Sequence, residues 1–261
     1  MPFIELPTSK IYYEERGAGS PLLLLHGLGG SSKDWEFNAE YLENHHRLLM
    51  LDIPGFGKSH IHNDDSISHL ALSISQALNE LSIDSINIVG FSFGGAIALE
   101  LATQQTKYNI TVDKLILFSS QPSYKLSGFK QVAEYYFRVC LVKILGLPAL
   151  SNVIAKRLFP NEDQTILRKY VQQGLRSNDT RAYLSALKAL VDWSVEDKLE
   201  QLENKTFIVA AENDYASLDS KGYIDKITNA KLSFIENCGH AIPLEKPELA
   251  ASLINEHVKT E

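Results

Sequence analysis

Three side chains of different chemical type stand in stretches where a chain has little structural reason to place them. Ser92 lies in GFSFGGAIALE, residues 90 to 100, directly after the apolar run SINIV. His240 lies in NCGHAIPLEKPE and Asp214 in AAENDYAS. An alcohol at neutral pH is a poor nucleophile and needs a base to take its proton. An imidazole in that role needs a carboxylate to hold one tautomer and to stabilise the imidazolium. Serine, histidine and aspartate together predict nucleophilic attack on a carbonyl carbon, with His240 as base and Asp214 as its partner.

The surroundings of Ser92 strengthen this reading. GFSFG fits G-x-S-x-G between a strand and a helix, where a tight turn strains the serine backbone and brings chain segments close. Residues two positions to either side must then be small, and Gly90, Gly94, Gly95 and Ala96 meet that demand. The turn presents the hydroxyl at the sheet edge, with the following amides at a helix N-terminus, where an oxyanion is stabilised. HGLGG, residues 26 to 30, follows another apolar strand and can aim the Leu28 amide at the same point as the Phe93 amide, a two-donor oxyanion hole. The His26 side chain reads as structural. Glu212 and Asp219 compete with Asp214, which is preferred because it falls in the loop between a strand end and the next helix.

The elements that must position these groups alternate in type. FIEL and KIYYEE, separated by PTS, read as a hairpin; Leu22–Leu25 as a strand buried on both faces; and SSKDWEFNAEYLE as a helix with Trp35, Ala39 and Leu42 inward and a Ser31/Asp34 capping box. RLLMLDIPG, SINIVG and KLILFSS read as strands, with ISHLALSISQALNELSI and GGAIALELATQQ as helices between them. This order predicts an α/β fold with a doubly wound, mostly parallel sheet behind an N-terminal antiparallel hairpin. From Gln121 to Gln201 only helical segments are legible, including GFKQVAEYYFRVCLVKILG and TRAYLSALKALVDW. TFIVAAEND, AKLSFIENCG and KPELAASLINEHV then restore strand, strand and helix. The expected organisation is a core of residues 1–120 and 202–261 with residues 121–201 inserted as a helical cap over the sheet's carboxyl edge, where open α/β sheets bind ligands. Tyr124, Tyr135, Tyr136, Phe137 and Trp193 of that cap could line an apolar pocket, although aromatics at helical spacing are more often plain core.

Composition removes other function classes. A net charge of −7 with scattered basic residues predicts no nucleic-acid partner. MPFIELPTSK lacks the pattern of a signal peptide, and no stretch is read as a membrane span, so a soluble, cytoplasmic protein is expected, with the amphipathic segment around Tyr135–Leu147 a lid helix. Cys140 and Cys238 are too few for a disulfide framework or a cysteine zinc site, and Cys238 reads as a small buried thiol. IPGFGKS fails as a phosphate-binding loop because Asp52 stands where that motif needs glycine, and HGLGGSS fails as a dinucleotide fingerprint because Ser32 takes the third glycine position. HIHNDD, residues 60 to 65, has two histidines near carboxylates, but its composition better fits a solvated loop than a metal site. His45 and His46 are expected at a helix end.

Taken in order, HGLGG, LDIPGFGKS, GFSFGG, AAEND and CGHAIPLEKPE resemble the α/β-hydrolase family with a helical cap, across essentially the whole chain. The resemblance implies Ser92 as nucleophile, Asp214 as acid, His240 as base, and the Leu28 and Phe93 amides as oxyanion hole. The chain order serine, acid, histidine is that of the family. It further implies no cofactor, no metal and a small-molecule ester as substrate. A serine at position 92 resembles the esterase, lactonase and carbon–carbon hydrolase branches, whereas haloalkane-cleaving relatives carry aspartate there. The leading expectation is hydrolysis of a small or medium carboxylic ester or lactone through an acyl-enzyme. The alternatives are hydrolysis of a dienoate-type diketone, which would need a cationic group for a substrate carboxylate, and a ligand receptor that keeps the triad but turns over little.

Overall fold

The computed structural model describes residues 2–61, 66–216 and 220–259. Its strands are β1 (Phe3–Glu5), β2 (Ser9–Arg16), β3 (Ser20–Leu25), β4 (His46–Leu51), β5 (His60–Ile61), β6 (Ser85–Phe91), β7 (Thr111–Phe118), β8 (Lys205–Ala211) and β9 (Ala230–Ile235). The helices are α1 (Glu36–Leu42), α2 (Ile67–Glu80), α3 (Phe93–Thr103), α4 (Gln105–Tyr108), α5 (Phe129–Leu158), α6 (Thr165–Arg176), α7 (Thr180–Asp192), α8 (Ser220–Ile224), α9 (Ile242–Glu245) and α10 (Pro247–Val258). One sheet runs in the order β1-β2-β4-β3-β6-β7-β8-β9, with β5 beside β2. β1, β2 and β5 pair antiparallel, β2 meets β4 antiparallel, and the pairs from β4 through β9 are parallel.

The four leucines of β3 are fully buried because α-helices cover both faces of a parallel sheet. From β3 the chain steps outward to β4, then crosses back to β6 on the other side. The carboxyl ends of β3 and β6 therefore flank a switch point, the place where loops part and leave a crevice. HGLGG leaves β3 there, and Ser92 leaves β6. The expected helix after Ser31 begins with a 3₁₀ turn, Ser32–Trp35, before α1; Trp35, Ala39 and Leu42 are buried as the spacing predicts.

Between β7 and β8 lie α5, α6, α7 and two 3₁₀ turns, with one isolated bridge, Ser123 to Ser194, closing the neck of the insertion. The segment GFKQVAEYYFRVCLVKILG does end at Gly146, which adopts the non-helical φ 76° and ψ 179°, and a second helical limb with Pro148 in its first turn follows to Leu158. Two expectations need correction here. The combined 30-residue segment is by length and composition sufficient to cross a membrane, contrary to the reading that no stretch approaches a span. In the structure it is a bent helix that packs on α6 and α7. His46 does not end a helix. α1 finishes at Leu42, and His46 opens β4 with its Nε2 2.9 Å from Asn255 Oδ1.

Candidate active site

β6 delivers Ser92 into a backbone of φ 51° and ψ −108°, left-handed for a non-glycine residue and thus strained. Backbone hydrogen bonds on both sides hold the turn. The Ser92 N–H donates to the Phe118 carbonyl at 2.9 Å, and the Gly95 and Ala96 amides donate back to the Ser92 carbonyl at 3.0 and 3.2 Å. A Cβ on Gly94 would run into the Leu25 and His26 carbonyl oxygens, which explains why the turn is built without side chains.

The loop after β9 brings His240 to this point. Its Nε2 lies 3.0 Å from Ser92 Oγ, and its Nδ1 lies 2.8 Å from each Asp214 carboxylate oxygen. With Nδ1–H donating to the carboxylate, Nε2 is free to accept the serine proton. The His240 and Asp214 side chains are each 7% exposed. Burial alone would raise the Asp214 carboxyl. The His240 hydrogen bond and charge, with the Ala216 N–H donating to Oδ1 at 2.8 Å, outweigh it and hold the group below the usual aspartate range. Phe91 and Tyr215 enclose the imidazole, with ring centroids 5.4 and 5.2 Å away.

Of the rival acids, Glu212 is exposed and accepts the Asn237 N–H at 2.9 Å, tying the loops after β8 and β9; Asp219 lies outside the described residues. Residues 62–65 of HIHNDD also lie outside them. Among the described residues, no group of three or more His, Cys, Asp or Glu side chains is placed to hold a metal ion.

Phe93 is the first residue of α3, a position whose N–H has no intrahelical acceptor, and its side chain is buried against Phe56. Only its amide is left for chemistry. Leu28 is half-buried on the loop after β3 and lines one cavity with Ser92 and His240. His26 is fully buried, accepts the Ile53 N–H on Nε2 at 2.9 Å, and contacts the Gly27 carbonyl through Nδ1 at 2.8 Å; burial lowers its pKa, so the ring stays neutral and structural. Asp52 likewise braces loops, accepting the Ser32 and Lys58 amides at 2.6 and 2.7 Å.

The chain belongs to the α/β-hydrolase fold family. The family model for the alpha/beta hydrolase fold matches residues 20–247. A pimeloyl-[acyl-carrier protein] methyl ester esterase of Aeromonas salmonicida is 30% identical over 89% of this chain and 89% of its own. A protein of Azorhizobium caulinodans, named provisionally as a carbamate hydrolase, is 32% identical over 95% of both chains. Among solved structures, the enol-lactonase of Burkholderia xenovorans superposes with a TM-score of 0.89 over 98% of this chain and 99% of its own, at 17% identity, a likeness of fold.

The crevice at the switch point opens into a cavity of about 1330 Å³, lined in part by residues of α5, α6 and α7. Tyr124 and Tyr135, two of the five aromatics singled out from the sequence, line it. Tyr136 and Phe137 do not: they are 59% and 48% exposed on the outer side of α5. Trp193 is buried, its indole N–H donating to Glu100 Oε2 at 2.9 Å. Arg138, a candidate cation that the sequence alone could not place in a pocket, also lines the cavity, as do Tyr183 and Tyr215, which the sequence did not single out. On α5 the polar residues Lys130, Gln131, Glu134 and Arg138 line the cavity while Tyr136, Phe137, Ile144 and Leu145 are exposed, so the rule that apolar spacing marks the inward face points the wrong way here.

Proposed function

We propose that this hydrolase cleaves a carboxylic ester, acyclic or lactone, through an acyl-enzyme on Ser92. The observation that carries the reading is the continuous line from Ser92 Oγ through His240 to both oxygens of Asp214, at 3.0, 2.8 and 2.8 Å. Ser92 Oγ attacks the carbonyl carbon as its proton passes to His240 Nε2, and Asp214 stabilises the imidazolium. The carbonyl oxygen, now an oxyanion, accepts from the Leu28 and Phe93 amides, each such donor contributing on the order of 3 kcal/mol to the transition state. His240 returns the proton to the leaving alkoxide, the alcohol departs, and the acyl group stays on Ser92. Water then attacks the acyl-enzyme with His240 again as base, releasing the acid and restoring the serine. No step calls for a cofactor.

The insertion, residues 121–201, serves as the cap that shapes the acyl and alcohol sites over the core of residues 1–120 and 202–261. The named activity of the Aeromonas salmonicida relative supports an ester as the bond cleaved. Free Cys140 and Cys238 fit a soluble protein of a reducing compartment such as the cytoplasm. A panel of chromogenic esters tests the reading: turnover by the wild type that Ser92→Ala abolishes is expected. Turnover that survives Ser92→Ala unchanged would overturn the mechanism, and ligand binding with almost no turnover would favour a receptor. Carbon–carbon hydrolysis of a diketone is kept as a second reading because Arg138 lies in the cavity. Its mark would be a product with a new C–H bond where an ester yields an alcohol.

A further inference from the structure

Arg138 is the charged group of the cavity whose partners do not account for it. It lies on the first limb of α5, lines the same cavity as Ser92 and His240, and its side chain is 17% exposed. A guanidinium withdrawn from water is costly unless paired. The carboxylate beside it, Glu134, is gripped by both terminal nitrogens of Arg157, with Nη2 to Oε2 at 3.2 Å, and reaches Arg138 only at 3.9 Å. One carboxylate between two guanidinium groups leaves a full positive charge inside the cavity. The remaining neighbours of Arg138 include the phenols of Tyr183 and Tyr215, which bring no carboxylate to pair with it. Its surroundings follow the same sign. Six lysine and arginine side chains face four aspartates and glutamates around the cavity, in a chain whose net charge is −7.

We infer that Arg138 is an anion subsite, and that the preferred ester carries a second, ionised carboxylate which the guanidinium holds while Ser92 attacks the ester carbonyl. The inference rests on the ester reading and adds the substrate class: a half-ester of a dicarboxylic acid, or a lactone bearing a free carboxylate. Tyr215 sets the spacing. Its ring stands 5.2 Å from the His240 ring and its hydroxyl neighbours Arg138, so the two ends of the substrate lie about one tyrosine side chain apart. The planar guanidinium fork matches a carboxylate with two parallel hydrogen bonds, a match lysine cannot make.

The test compares monomethyl esters of straight-chain dicarboxylic acids with methyl esters of monocarboxylic acids of equal length. The wild type is expected to favour one chain length of half-ester by about tenfold or more in kcat/KM. Arg138→Gln should lose about ten- to a hundredfold on that half-ester, chiefly through KM, and at least tenfold less on the neutral ester. Arg138→Lys should retain part of the preference, and carries the test alone if the glutamine variant does not fold. Equal rates for both ester classes in the wild type, or an equal loss of both in Arg138→Gln, would overturn the inference and leave Arg138 as a strut of the cap. Calorimetry on Ser92→Ala separates this from the ester reading. Monomethyl glutarate should bind more tightly than dimethyl glutarate, and the difference should vanish in Ser92→Ala/Arg138→Gln. Binding with that pattern but no hydrolysis by the wild type would overturn the ester reading and leave the subsite standing.

Discussion

Gly90 and Gly95 face each other across the serine turn so closely that a Cβ on Gly90 would stand 2.5 Å from the Gly95 Cα. Real Cβ atoms do not approach backbone like this, so a side chain there must push β6 and α3 apart, and Ser92 moves with them. Gly90→Ala is expected to cost about 2 kcal/mol or more as an overpacked core position. It should also reduce kcat at least about a hundredfold, because a 1 Å displacement of a reacting group has that scale of effect. Thermal unfolding and ester turnover measured on the same preparation check both. A variant with wild-type kcat would mean that the turn tolerates a side chain and that the small residues serve some other purpose.

This crowding also explains how much of the site was legible in the sequence. The strands are short apolar runs, and the turn around Ser92 leaves glycines wherever backbone meets backbone, so both signals are local. His240 and Asp214 were legible because parallel topology sends every loop after a strand to one edge. The insertion was not legible in that way. Tyr135 and Arg138 face the cavity with Lys130, Gln131 and Glu134 while Tyr136 and Phe137 face outward, so the amphipathic period is present but inverted, its polar side turned to the cavity. The second limb of α5, past Gly146, was likewise not legible in the sequence; Arg176 of α6 bonds to its Ser151 and Asn152. Packing between distant segments decides such cases, and local pattern does not record it.

Asp214 is predicted to act through His240, not on substrate. Asp214→Asn should leave the fold intact and lower kcat about 10³- to 10⁴-fold, because the amide favours the wrong imidazole tautomer. The sign of the stability effect follows from the depressed carboxyl. A group whose folded value lies below its unfolded one, about 3.9, adds stability above that pH and loses it as pH falls through the folded value. Denaturant midpoints of wild type and Asp214→Asn should therefore converge on acidification below about pH 4. Midpoints that keep a constant separation from pH 7 to the acid limit would show that the His240 contact does not stabilise the ionised carboxylate.

Asp34 shifts in the opposite sense. Burial is the chief cause, and it pushes the carboxyl up to about 7, although the Ser31 N–H and the Tyr170 hydroxyl at 3.2 Å both donate to it. A raised folded value means stability that is full below the unfolded pKa and is lost as pH rises through 7. Asp34 is open to the cavity on one side, so solvent screens part of the penalty and the loss is about 1–2 kcal/mol. Asp34→Asn should remove this slope: between pH 5 and 8 the wild type should lose stability relative to the variant. Parallel stability curves for the two would mean that Asp34 is ionised without cost throughout.

Glu100 and Trp193 fasten the segment after α7 to α3, the helix that follows Ser92. Glu100, on α3 and 2% exposed, accepts the Trp193 indole N–H at 2.9 Å, the Tyr108 hydroxyl at 2.7 Å and the Ser68 hydroxyl at 2.5 Å. Burial alone would raise its carboxyl, but these donors and Lys107 outweigh it and keep the group ionised below the usual range. An acid so fully partnered is costly to remove, since each buried donor left unpaired costs about 1–3 kcal/mol. Glu100→Ala is therefore expected to lose about 3–5 kcal/mol, near the effect of breaking a buried charged pair. Trp193→Phe removes one donor and keeps most of the packing, and should lose about 1–2 kcal/mol. A double-mutant cycle on denaturant unfolding should give a coupling above about 0.5 kcal/mol, the level that marks residues in contact. Additive losses would mean that α7 is held by its apolar packing alone. Because α3 also carries the turn of Ser92, a loosened contact should raise KM before it lowers kcat: the cavity wall moves while Ser92, held by Phe118 and Gly95, keeps its place.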